Sequence, residues 1–251
     1  MSKTRKLGVL PVLGIVRELK RGAGDPRPLA VAGARELVPI LARELRSGGE
    51  AAAVVEGRVD GAAVLVWVGP PVEEELRAAD RAGVPIVAVT DADHVPYVLA
   101  TNIVHVPRGQ GFPVEEIARV VARELGENGT SLAARLPVIR RPLCDALIAS
   151  FSRKNGLVGA AVFVPGVDMP ILTLNQVRLV LRLALAHGQE IDNERAVELL
   201  GVVGAGFGFR ALAHELLDLV PVAGWAVKGG VAYSGTRAIG EAAVRYFEAR
   251  A

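Results

Sequence analysis

The first residues with the spacing of a reactive site are Gly33-Ala34-Arg35-Glu36-Leu37-Val38-Pro39-Ile40, directly after the apolar run Leu29-Ala30-Val31-Ala32. A loop that cradles phosphate reads G-x-x-x-x-G-K-[ST], with backbone N–H groups and a lysine on the phosphates and a hydroxyl on Mg²⁺. Gly33 keeps its place in that register, but Val38, Pro39 and Ile40 stand where the second glycine, the lysine and the hydroxyl belong. The lysine charge, the Mg²⁺ ligand and a donor N–H are therefore missing together, since proline carries no N–H. Glu36 adds a carboxylate that repels phosphate. A second constellation, Thr90-Asp91-Ala92-Asp93, follows the apolar run Pro85–Val89, where a guanine-reading [NT]-K-x-D loop would sit. Asp93 can accept from a guanine-like edge, but Asp91 replaces the lysine. Gly33, Arg35, Thr90, Asp91 and Asp93 are thus the ligand-binding candidates. The competing reading of Asp91 and Asp93 is of solvated turn carboxylates that cap the next element. Two carboxylates alone fall well short of a calcium loop.

These residues need strands and helices to hold them. Ala51–Val55, Ala62–Val68, Pro85–Val89 and Ile103–Val106 are further apolar runs of strand length, and Ala62–Val68 is the clearest. Pro70-Pro71 opens a helix with Glu73, Glu74 and Glu75 in its first turn and Gly83 past its end, the polarity a helix dipole favours. Another helix starts at Pro113, carries Glu115, Arg119 and Arg123 at four-residue spacing, and stops at Gly126. Continuous apolar strands alternating with helices predict a small doubly wound α/β domain with a mostly parallel, five-stranded sheet. Ligands of such sheets bind at the carboxyl ends of the strands, where the candidate residues fall.

Charge divides the chain. Lys and Arg total 29 against 27 Asp and Glu, so no global field draws it to nucleic acid. Locally, residues 1–22 carry a net +5, residues 23–130 a net −6 and residues 131–251 a net +3. The expected organisation is an N-terminal basic amphipathic helix over 1–24, an α/β domain over 25–130 and a glycine-rich helical domain over 131–251. The single cysteine, Cys144, cannot form an internal disulfide and reads as a small buried residue in a reducing compartment. The N-terminus has a basic start and an apolar run from Leu7 to Val16, but charges resume at once and no small-residue cleavage site follows. It reads as a helix lying on the protein or on an anionic membrane surface.

The middle segment resembles a GTPase-type domain whose nucleotide chemistry is gone. It lacks a strand-end D-x-x-G, and the connection from the first helix to the third strand leaves no room for nucleotide-sensing switch loops. The third segment carries a more specific resemblance. Its markers are Pro165-Gly166-Val167-Asp168-Met169-Pro170, Gln176, His187-Gly188, Gly201 through Phe209-Arg210, Leu219–Trp225 and Ala232–Gly240. Over about 100 residues these resemble the helical domain of unknown function 697, a family that often follows bacterial GTPase domains. The resemblance implies association with GTPase-like modules and, in some members, with membranes; it implies no known catalysis.

Helical patterning supports a bundle independently. Over 171–187, Asn175, Arg178 and Arg182 fall on one side, with Ile171, Leu174, Leu181 and Leu185 on the other. Asp168, Gln176, Arg210 and Thr236 are polar residues in apolar helices, expected to form buried hydrogen bonds that fix helix register, the alternative being a ligand pocket. Gly201, Gly204, Gly206 and Gly208 each weaken a helix by about 1 kcal/mol against alanine, which close packing can offset. The uncharged stretches 155–167, 199–209 and 219–227 fall short of the 18–20 apolar residues of a membrane span. Leu219–Thr236, interrupted by Lys228 alone, leaves an inserted hairpin open beside the favoured peripheral bundle. His94, His105, His187 and His214 are scattered, with no metal spacing, and Ser234 lacks a nucleophile-elbow context.

The combined expectation is a non-enzymatic interaction or scaffold protein: a pseudo-GTPase domain fused to a partner- or membrane-associating helical domain. It names no catalytic residue, cofactor, metal or nucleic-acid partner. The expected partner is a protein, GTPase-like or a second copy, and the expected location is cytoplasmic with peripheral contact at the inner face of the membrane. The alternative is a small-molecule or nucleotide-binding enzyme whose site lies at the strand ends.

Overall fold

The computed structural model describes residues 14–20, 22–57, 59–106, 109, 111–161, 169–192 and 224–250. Five strands, β1 (Leu29–Gly33), β2 (Val54–Glu56), β3 (Val64–Val68), β4 (Ile86–Thr90) and β5 (Ile103–His105), pair in parallel in the order β2-β1-β3-β4-β5. β1, β3 and β4 are Val-, Ala- and Leu-rich and almost wholly buried, as strands covered on both faces must be.

Side chains alternate between the two faces. Ala30, Ala32, Leu65, Trp67, Ile86 and Ala88 share one core with Leu76 and Ala79 of the Glu73–Arg81 helix and with Val95. The Val38–Arg46 and Val114–Leu125 helices pack against the sheet and each other, burying Leu41, Leu45, Ile117 and Val121. Glu73–Arg81 begins with three glutamates and ends with Arg81, and Val114–Leu125 begins with Glu115 and Glu116 and stops at Gly126; both bounds follow the charge and cap signals of the sequence.

The two helical crossovers, from β1 to β2 and from β3 to β4, thus use opposite faces, and the switch lies between β1 and β3. The order is one of the common doubly wound orders, and sheets of this kind bind ligands at the switch point.

The chain divides into two compact units, Gly24–Ala146 and Leu147–Ala251, the latter joined by the described residues before Gly24. The charge change at residue 130 therefore falls inside the first unit. The Thr130–Arg135 helix belongs to that unit because Ser131 Oγ donates to Asp25 O at 2.6 Å and Arg135 Nη2 donates to Arg27 O at 2.8 Å. Arg27 holds Asp25 in a two-pronged contact and keeps its carboxyl below the usual range, with the Arg27 N–H and the Arg135 charge adding to the effect.

The helical unit is built from Pro137–Ala161, which contributes residues to both units, Met169–Ala186 and Gly224–Glu248. Residues 14–20 are also helical, with Ile15, Val16 and Leu19 buried, so the apolar face of this stretch is docked on protein. Its Glu18 faces Arg178 at 3.4 Å and Arg182 at 4.0 Å. Glu18 thus partly covers the polar side of Met169–Ala186, and the Arg182 side chain is only 13% exposed. Ile171, expected on the buried side, is instead 48% exposed, and its neighbour Leu172 is buried in its place. Gly201–Gly208, Asp168, Arg210, His214 and the 219–223 part of Leu219–Thr236 lie outside the described residues. Among the described residues, no helix is long and apolar enough to cross a membrane.

Candidate functional site

The strand-end candidates lie along the carboxyl edge of the sheet, and at the switch point β1 and β3 approach closely at Gly33. Gly33, at φ +125°, lies against β3: a Cβ there would overlap Val68 O and come 2.9 Å from Val68 N. Only glycine fits both the backbone angle and the approach. The ladder continues one residue further, with Ala34 N donating to Val68 O at 2.8 Å, while Gly69 N donates to Val89 O at 2.9 Å.

Beyond that point the turn closes on itself. Leu37 N and Val38 N both donate to Ala34 O, at 2.9 and 3.1 Å, and the helix begins at Val38 with Pro39 in its first turn. A phosphate loop needs its N–H groups pointed inward and unpaired. Here Ala34, Leu37 and Val38 have given theirs to carbonyls, and Pro39 has none. Arg35 and Glu36, the polar residues of the turn, are exposed.

After β4, Thr90 is buried and its Oγ1 accepts from Ala92 N at 3.3 Å, a local turn bond. Asp91 and Asp93 are exposed on the same loop. Gly33 and Thr90 end strands β1 and β4, which flank β3, so the candidates share the carboxyl edge of the sheet. The loop continues to Tyr97, which adopts φ 63° at the third position of the Val95-Pro96-Tyr97-Val98 turn and accepts a hydrogen bond from Arg77 Nε at 2.8 Å. Among the described residues no group of three His, Cys, Asp or Glu side chains is placed to hold a metal ion.

The polar residues of the helical unit form a second constellation, a seam across three helices. Gln176 and Thr236 are brought together, with Gln176 Nε2 donating to Thr236 Oγ1 at 3.2 Å. Asn155 Nδ2 donates to the same oxygen at 2.8 Å, and Asn175 Nδ2 donates to Asn155 Oδ1 at 2.8 Å. The Thr236 hydroxyl proton goes to Ala232 O at 2.7 Å. Asn155 and Thr236 are fully buried. Asn155 was not singled out in the sequence; its signal is an uncharged amide opening the apolar stretch Asn155–Val167, beside Gly156 and Gly159.

Those glycines explain how the seam closes. Gly156 lies against Tyr233 and Gly229, and Gly159 against Ala232 and Lys228 O, with hypothetical Cβ contacts of 2.9–3.4 Å. Small residues let the helices approach closely enough for short amide side chains to bridge them. Comparison with known proteins adds no relative: no family model, no curated protein and no solved structure matches the chain.

Proposed function

We propose that this chain is a non-enzymatic interaction protein, in which a GTPase-like α/β unit without a phosphate site is joined to a helical unit that engages a partner. The observation that carries the reading is the turn after β1. Its N–H groups at Ala34, Leu37 and Val38 are consumed by backbone carbonyls, and no lysine or hydroxyl residue follows at Pro39 and Ile40. Three backbone donors of the turn are thus already used, and the lysine charge that holds a triphosphate is missing, at the place where a doubly wound sheet would present them. The remaining polar groups at that edge, Glu36, Asp91 and Asp93 against Arg35, favour no polyanion.

The helical unit is the partner-binding part of the proposal, in keeping with its resemblance to the domain of unknown function 697. Peripheral contact with an anionic membrane belongs to the same proposal. The docked apolar face of residues 14–20 leaves Arg17 and Lys20 as its exposed cations.

Thermal-shift measurements with Mg²⁺ and a panel of nucleoside triphosphates test the reading. The expected result is no displacement of the melting curve for either wild type or the Arg35→Ala/Asp93→Ala double variant. A nucleotide-induced shift in wild type that the double variant abolishes would establish the competing reading, a ligand-binding enzyme site at the strand ends.

A further inference from the structure

We infer that the three-helix polar seam contains a binding site for one internal water molecule, held between Ser152 and Gln176. The directions of the hydrogen bonds carry this. Thr236 has a single hydroxyl proton, and it is committed to Ala232 O. Its oxygen can then only accept, which it does from the amides of Asn155 and Gln176. Turning the Gln176 amide over would set Oε1 against an oxygen with no proton to give. The orientation is therefore fixed, and Gln176 Oε1 is left facing elsewhere, buried and with no protein hydrogen-bond partner.

Ser152 Oγ is the second such atom, on a residue that is fully buried. Contacts between Pro137–Ala161 and Gly224–Glu248 run antiparallel: Ile148 meets Gly240, Asn155 meets Thr236, and Gly159 meets Ala232. Ser152 lies between Ile148 and Asn155 and so sits level with the stretch from Thr236 to Gly240. Gln176 reaches that level through its own bond to Thr236. One unpaired acceptor and one unpaired hydroxyl thus lie at neighbouring levels of the seam.

Buried polar groups of this kind are met by ordered water, which typically makes about three hydrogen bonds to otherwise unsatisfied atoms. A water here donates to Gln176 Oε1 and accepts from, or donates to, Ser152 Oγ. It joins Pro137–Ala161 to Met169–Ala186 beside the direct bond from Asn175 to Asn155. The site suits no anion and no metal, since both protein groups are neutral and only one is an obligate acceptor.

The test uses the full chain. Crystallographic density at high resolution, or water-to-amide cross-relaxation at the Gln176 side chain by NMR, should show a bound molecule within hydrogen-bond distance of both atoms. In parallel, Ser152→Ala and Gln176→Met should each lower the melting temperature, and the double variant should lower it by less than the two shifts combined, because both remove the same water. A dry seam differs in the serine variant and in additivity, since Gln176→Met loses its bond to Thr236 in either case. Deleting an unpaired buried hydroxyl then raises the melting temperature or leaves it unchanged, and the two shifts add. Either that result or an empty density map overturns the inference while leaving the function proposed for the chain untouched.

Discussion

Replacing Gly33 by alanine probes the β1–β3 contact on which the account rests. A Cβ at this position overlaps Val68 O and comes within 2.9 and 3.0 Å of Val68 N and C, so the two strands must separate. Separation breaks the 2.8 Å bond from Ala34 N to Val68 O, a loss of about 1 kcal/mol. Holding an alanine at φ +125° adds about 1–3 kcal/mol of backbone strain. Residual overpacking against a fully buried strand contributes about 1 kcal/mol more. The total, about 3–5 kcal/mol, is a large part of the stability of an ordinary domain. Gly57→Ala supplies the control, because Gly57 also has a positive φ, +68°, but nothing lies within 4 Å of its would-be Cβ. Its loss should stay near 1 kcal/mol, from strain alone. Urea denaturation in a Trp225→Phe background, followed through the buried Trp67 on β3, reads the α/β unit directly. Equal losses for the two variants would show that the β1–β3 approach is looser than described, with room for a phosphate beside Gly33.

Thr236→Val should destabilise the helical unit by about 2–4 kcal/mol, because the amides of Asn155 and Gln176 both lose their acceptor, whereas Thr236→Ser should lose under about 1.5 kcal/mol; thermal or urea unfolding distinguishes them. Leu19→Ala should loosen the N-terminal helix by about 2–3 kcal/mol through lost burial, while Glu18→Gln should change stability by no more than about 1 kcal/mol, since Glu18 is half-exposed and its arginine contacts are long; amide exchange of residues 14–20 is the readout. Asp25 has a folded pKa lowered from 3.8, first by the Arg27 side-chain bond. A depressed carboxylate stabilises the fold above its unfolded pKa, and the contribution disappears as pH falls through the folded value. The stability difference between wild type and Asp25→Asn should therefore hold steady from about pH 5 to 8 and vanish as the solution is acidified below 3.8.

The sheet was legible because each strand is a continuous apolar run, and burial on both faces demands that composition. Helix bounds were legible where charge and caps agree, as at Glu73–Arg81 and Gly126. Strand β2 was less so: Ala51-Ala52-Ala53 reads as strand by hydropathy but turns as a short 3-10 segment, and only Val54–Glu56 enter the ladder. The loss of the phosphate loop could be read from Val38, Pro39 and Ile40. The tight approach of Gly33 to Val68 could not, because it depends on a partner strand more than thirty residues away. In the helical unit, Gln176 and Thr236 stood out as polar residues in apolar helices. Their partner Asn155 did not, since a single amide beside a glycine reads equally as a turn. Arg178 and Arg182 look like a solvated face until the distant Glu18 is folded over them.

Isothermal titration calorimetry of the intact chain with GTP and with ATP, each in the presence of Mg²⁺, tests the central claim most directly. No saturable heat is expected with either nucleotide, because the donors at Ala34, Leu37 and Val38 are already bonded to backbone carbonyls and no lysine follows them. Tight, Mg²⁺-dependent binding of either one would contradict it.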